Sequence, residues 1–314
     1  MTFKPDTFME FTWPAGYTSI VANKALPDSP GYLAYNQKTG ATETGYLDLK
    51  GSTYPAGYKK VATLAWETGW SALIPFSSSE GRFLLRYKKA DGTVRVDRFA
   101  SNGYDLKNTL TARWITGLTS IELVRHGDDN NILAYDSATG RVGLKRINAT
   151  GTALTDVWSE PWTYWSTGWT TLLPVYTNGE TCLLGYKSAE GRVSVDRFNG
   201  TKFINLYNET STDPDAIGWS VFSPLPCPDL PGRYLAYRKT DARVKVEEID
   251  TTENGTDIRP VWWNQWSAGW TTFLPFEQMV PRGGTYDYSY CYLAYKITSG
   301  EVDLDEYFTY LGEI

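Results

Sequence analysis

Histidine is almost absent from this sequence: one residue, His126, in 314. A histidine-based triad therefore cannot recur along the chain, and a single one has no supporting pattern. Cysteine is scarce too. Cys182, Cys227 and Cys291 are an odd number without CxxC spacing, which speaks against both a disulfide framework and a zinc site. Cys182 and Cys291 occupy the same place in non-neighbouring repeats, too far apart to bridge, so three free thiols are expected. No apolar run approaches the roughly 18 residues that span a bilayer, and the opening MTFKPDTFMEF lacks a basic-then-apolar leader pattern. Excess positive charge is missing: the net charge is −6 and the isoelectric point near 5.0, against the basic face that nucleic acid demands. The expectation is a soluble chain, extracellular or cytoplasmic, with no membrane insertion, no nucleic-acid partner, and no cofactor or metal. Four NxT triplets, at Asn148, Asn199, Asn208 and Asn254, leave the compartment open.

Aromatic residues are abundant, with 13 Trp and 22 Tyr, and they recur in register. Six copies of a turn can be aligned on Gly16, Gly69, Gly117, Gly168, Gly218 and Gly269, as in Trp66-Glu-Thr-Gly69-Trp70 and Trp266-Ser-Ala-Gly269-Trp270. Repeats of this length signal a stacked or radial architecture. An apolar stretch follows each turn (SALIPF, 71–76; TTFLPF, 271–276), then an LxY segment ending at Tyr35, Tyr87, Tyr135, Tyr186, Tyr237 or Tyr295. Five residues on stands a glycine in five copies (Gly40, Gly92, Gly140, Gly191, Gly300) and Ala242 in the sixth, where a tight hairpin needs positive φ. An alternating segment such as Val94 to Asp97 comes next, and a fourth leads into the following turn. Four strands per copy without helical periodicity predict an all-β, six-bladed propeller of four-stranded antiparallel blades, one domain over 1–314, with repeats starting near 13, 66, 114, 165, 215 and 266. The last copy runs out after its third strand, so residues 6–13 are expected to supply its fourth and close the ring.

Each repeated residue has a structural and a functional reading. The first Trp of the turn (13, 66, 114, 165, 266) suits packing between blades. The second aromatic (Tyr17, Trp70, Trp169, Trp219, Trp270) either packs likewise or offers a ring face to a sugar, with Leu118 marking a missing site. Charged pairs on the third strand, Asp97 with Arg98 and Asp196 with Arg197, either hydrogen-bond sugar hydroxyls or form cross-strand ion pairs with Lys88 and Lys187. These nine residues are the candidate carbohydrate-binding set; no catalytic residue is assigned. Asp128 to Asn131 read as a solvated turn rather than a calcium loop.

In plan the chain resembles the six-bladed fucose-binding lectins of the Aleuria type, and Gly168-Trp169-Thr-Thr-Leu-Leu-Pro is similar to the turn of the five-bladed tachylectins. The resemblance implies sugar binding between neighbouring blades. It does not extend to the Aleuria blade motif, so the nine residues rest on the repeat alone. The preferred expectation is a multivalent lectin without catalysis, its partners glycans or glycoproteins. A protein-interaction scaffold and an enzyme with one pocket in the central channel stand as alternatives, because regular copies favour repeated binding over a single asymmetric site.

Overall fold

The computed structural model describes residues 6–23, 31–48, 57–177, 179–225, 231–252, 255–282 and 285–310. It is a ring of six four-stranded antiparallel blades. The only helical turn among the described residues is a short 3-10 segment, Pro214–Ala216. The first strands, Ser19–Ala22, Trp70–Ser78, Ser120–His126, Thr171–Thr177, Val221–Pro224 and Thr272–Arg282, adjoin one another in chain order and form the inner wall. The third strands are Ala41–Asp48, Thr93–Phe99, Arg141–Ile147, Arg192–Phe198, Arg243–Thr252 and Glu301–Tyr310. The last pairs on its outer side with Asp6–Thr12, so the N-terminal strand completes blade six as the repeat count requires.

The LxY tyrosine is what joins each blade to the next. Its hydroxyl donates to a carbonyl in the following turn: Tyr35 to Glu67, Tyr87 to Ile115, Tyr135 to Ser166, Tyr186 to Ala216, Tyr237 to Ser267, and Tyr295 to Pro14 across the closure. The same oxygen accepts the backbone N–H of Tyr17, Trp70, Leu118, Trp169 or Trp219, so a buried donor and acceptor are satisfied together. A second device was not foreseen. The hydroxyl two residues after the turn glycine (Thr18, Ser71, Thr119, Thr170, Ser220, Thr271) donates to the tyrosine's carbonyl. It also accepts the N–H two residues past that tyrosine, in all six blades. The core is a belt of clusters between blades, such as Phe76, Phe83, Tyr87, Leu118 and Ile132 between blades two and three.

Cys182 and Cys291 are buried and in no disulfide, and burial pushes Cys182 up to about 11; Cys227 lies outside the described residues. No helix among the described residues is long and apolar enough to cross a membrane.

Candidate functional site

The nine candidate residues do not form sugar-facing sites of the expected kind. Tyr17, Trp70, Trp169, Trp219 and Trp270 are all buried, at 6%, 0%, 8%, 5% and 2% exposure. The four Trp rings are also covered by the cation that follows the LxY tyrosine of their own blade: Lys88 lies 4.7 Å from the Trp70 centroid, Lys187 5.1 Å from Trp169, Arg238 5.2 Å from Trp219 and Lys296 4.4 Å from Trp270. A face occupied by an ammonium or guanidinium is not presented to a sugar. Tyr17 instead donates its hydroxyl to Glu43 at 3.1 Å.

The paired charges are separated by strand alternation, which sends neighbours to opposite faces. Asp97 is buried against Arg86, 2.6 Å away, not against Lys88, whose partner is Glu67 at 2.7 Å. Arg98 is exposed and donates to the Glu80 carbonyl. Asp196 accepts from Ser194 and Asn205 at 2.7 and 2.9 Å, while Lys187 pairs with Glu190 at 3.7 Å and Arg197 with Glu180 at 3.5 Å. Trp169 and Asp196 of the nine line one cavity together.

The inner wall holds a group that the sequence reading passed over. Five residues after each turn glycine the first strands carry Val21, Ile74, Glu122, Leu173, Ser223 and Leu274. Five copies place an apolar group or a hydroxyl there; blade three places a carboxyl. Glu122 is half-buried and its Oε1 accepts a hydrogen bond from Ser120 Oγ at 2.9 Å. Burial outweighs that bond and pushes its pKa up to about 8. The repeat alignment was the available signal, since only blade three breaks its pattern with an ionisable residue.

Next along the strand, Leu123 begins the lining of a cleft of about 640 Å³ between the first strands of blades three and four, with Arg125, His126, Tyr176, Glu180 and Thr181. Its volume suits a small-molecule site. His126 ends its strand, exposed, with its ring edge-on to Phe198 at 5.8 Å. Gly127 and Asp128 turn the hairpin beside it, but Asp129 to Asn131 belong to the second strand, where Asp129 pairs with Arg146 at 3.1 Å and Asn130 and Asn131 are buried rather than solvated; no metal-ligating cluster occurs among the described residues.

No protein-family model matches the chain, and no curated protein matches it. Solved structures match its fold. A protein of Bacteroides fragilis provisionally named a 6-phosphogluconolactonase is 14% identical, with a TM-score of 0.56 over 90% of this chain and 80% of that one. A Bacteroides uniformis protein with the same provisional name is 11% identical, with a TM-score of 0.55 over 93% and 87%. The periplasmic gluconolactonase of Pseudomonas aeruginosa is 13% identical, with a TM-score of 0.55 over 90% and 85%. Such identities establish the propeller alone. They overturn the expectation of a lectin without catalysis, because proteins of this fold bear lactonase names.

Proposed function

We propose that the protein is a hydrolase for a small hydroxylated lactone or ester, with Glu122 as its general base. The observation that carries this reading is Glu122 itself, a lone carboxyl at a position of the inner wall where the other blades carry Val, Ile, Leu, Ser and Leu, its pKa raised to about 8. A carboxyl with a raised pKa is a mark of acid–base chemistry, and a base works best with a pKa near the working pH. Lactonase names among proteins of the same fold supply the substrate class.

The chemistry is balanced by one carboxylate. Ionised Glu122 takes a proton from water as the water oxygen bonds to the lactone carbonyl carbon. The ring C–O bond then breaks, and the departing oxygen takes that proton back, leaving a hydroxy acid. Burial, which raises the cost of the carboxylate, makes it a stronger base than an exposed glutamate.

The test follows the hydrolysis of glucono-1,5-lactone and its 6-phosphate above the spontaneous rate. Turnover is expected to rise with pH and level off above about 8, as the base form fills. Glu122→Gln, which keeps the shape and removes the base, is expected to lower kcat by about 10²-fold or more. Catalysis by wild type that Glu122→Gln leaves intact would remove Glu122 from the mechanism. A folded wild type without turnover on either lactone would remove the substrate class.

A further inference from the structure

Blade two holds a cation between two indoles where blade four has a glycine. In blade two the residue before the LxY tyrosine is Arg86, and its guanidinium lies 4.5 Å from the Trp66 centroid and 4.7 Å from the Trp70 centroid. Its Nε and Nη2 donate to Asp97 at 2.8 and 2.6 Å, and Asp97 is held from behind by Asn108 Nδ2 at 3.3 Å. Two indoles and a carboxylate thus make a cage around one cation.

Blade four has the same cage with the arginine deleted. Trp165, Trp169, Asp196 and Asn205 stand where Trp66, Trp70, Asp97 and Asn108 do, and Asn205 again donates to the aspartate, at 2.9 Å. Where blade two has Arg86, blade four has Gly185. Blade five fills its equivalent space from another position: Lys245 lies 4.7 Å from Trp219 and 2.7 Å from Glu247. Blade four has Ser194 at that position too. Small residues at both points leave a cavity of about 400 Å³ walled by Trp165, Trp169 and Phe203, with Asp196 on its lining.

We infer that this cavity binds the guanidinium group of an arginine or a related alkylguanidine, seated as Arg86 is seated in blade two. Cation–π attraction to the indoles and a charge-assisted pair with Asp196 would hold it, and the chain demonstrates that geometry on itself. Asp196 has no ion pair with a cation among the described residues; its two bonds come from a hydroxyl and an amide. The nearby cations do not exclude the ligand. Lys187 pairs with Glu190 and Arg192 Nε donates to Asn208 at 2.9 Å, and blade two accommodates Lys88 and Arg95 around Trp70 alongside Arg86. The site is independent of Glu122 and of any lactonase activity.

Titration of the full-length protein with N-acetylarginine amide, followed by calorimetry and tryptophan fluorescence, tests the inference against N-acetylcitrulline amide, the uncharged isostere. Saturable binding of one arginine derivative per chain and none of the citrulline is expected. Asp196→Asn should weaken it by at least about tenfold, and Ser194→Lys, which imports the blade-five filler, should abolish it while the melting curve remains cooperative. Arg86→Gly combined with Arg95→Ser, which gives blade two the small residues that blade four has at both points, should create a second site, raising the stoichiometry to two. If the citrulline binds equally, or if neither Asp196→Asn nor Ser194→Lys changes the affinity, the cavity is not a guanidinium site. Absence of any saturable binding to folded wild type has the same meaning.

Discussion

At the scale of single residues, Glu122 couples folding to pH. Its folded pKa of about 8 lies above the ordinary glutamate value, about 4.3, expected in the unfolded chain. Between those values the folded protein holds a proton that the unfolded chain has released, so this residue's contribution is complete at low pH and is lost as pH rises through 8. Glu122→Gln removes the titration. Melting temperatures of wild type and variant should therefore agree near pH 4, with the variant increasingly the more stable toward pH 8.5. A gap that does not change with pH would show that Glu122 is not held neutral in the folded state. This residue was legible only as an exception in an aligned column, whereas the second aromatic was legible as a column that allowed both packing and sugar contact. Its environment was nevertheless written in the sequence. Where the turn ends in Trp, the residue after the LxY tyrosine is Lys88, Lys187, Arg238 or Lys296; where it is Leu118 or Tyr17, that residue is Asp136 or Asn36. A cation accompanies each indole and is absent without one. That correlation marks the rings as partners inside a blade, as the ring-to-cation distances bear out.

At the scale of elements, the hairpin between second and third strands shows why one residue type recurs. Gly40, Gly92, Gly140 and Gly300 have φ from 74° to 76°, and a Cβ on any of them would lie 2.0 to 2.2 Å from the carbonyl oxygen of the first Trp of the next turn. Gly191, with φ of 63°, would bring a Cβ no closer than 3.3 Å to the side-chain carbons of Ala216 and Ile217, and Ala242, with φ of 61°, already carries a Cβ in the same turn. Conformational strain is common to all six, but steric exclusion is not. Gly92→Ala is accordingly expected to lower the melting temperature sharply, whereas Gly191→Ala should cost only about 1 kcal/mol of left-handed strain, both read from thermal unfolding. Equal effects would mean that the close approach to Trp114 yields easily. Strand identity and order were legible because alternation, glycine spacing and the LxY segment repeat. The fourth strand was less so. In blades one, two, four and five it takes one extra residue, Val61, Thr109, Leu206 or Val261, as a bulge at one place in the ladder. Nothing in composition distinguishes those four residues, since a bulge needs only backbone slack there and no particular side chain. In blade three the fourth strand is broken instead, into Leu154–Asp156 and Thr163–Tyr164, and Trp162 occupies the space over Gly143.

At the scale of the whole molecule, the ring depends on a strand contributed from the opposite end of the chain. The N-terminal strand carries the same bulge as the other fourth strands, between Thr7 and Met9 and opposite Leu304 and Asp305, so it is a true fourth strand by geometry as well as by count. It delivers Trp13, 2% exposed, to a nest of rings: 4.6 Å from Tyr32 of blade one and 6.1 Å from Tyr295 of blade six, with its N–H donated to Gly300. Phe11 stacks on Tyr58 of blade one at 5.4 Å. Removing residues 1–13 thus takes away two separable things, the hydrogen-bonding partner of Glu301–Tyr310 and the aromatic filling between the first and last blades. An unpaired strand of that length is a template for another chain. Loss of a buried Trp side chain alone costs about 3–5 kcal/mol. The truncated protein should therefore melt lower and elute from a sizing column as oligomers, while Trp13→Ala, which keeps the strand, should melt lower but elute as wild type does. If the truncation leaves both melting temperature and elution unchanged, the N-terminal strand does not close the ring in solution. If Trp13→Ala oligomerises as readily as the truncation, the ring is held by the aromatic nest, and strand pairing across the closure is secondary to it.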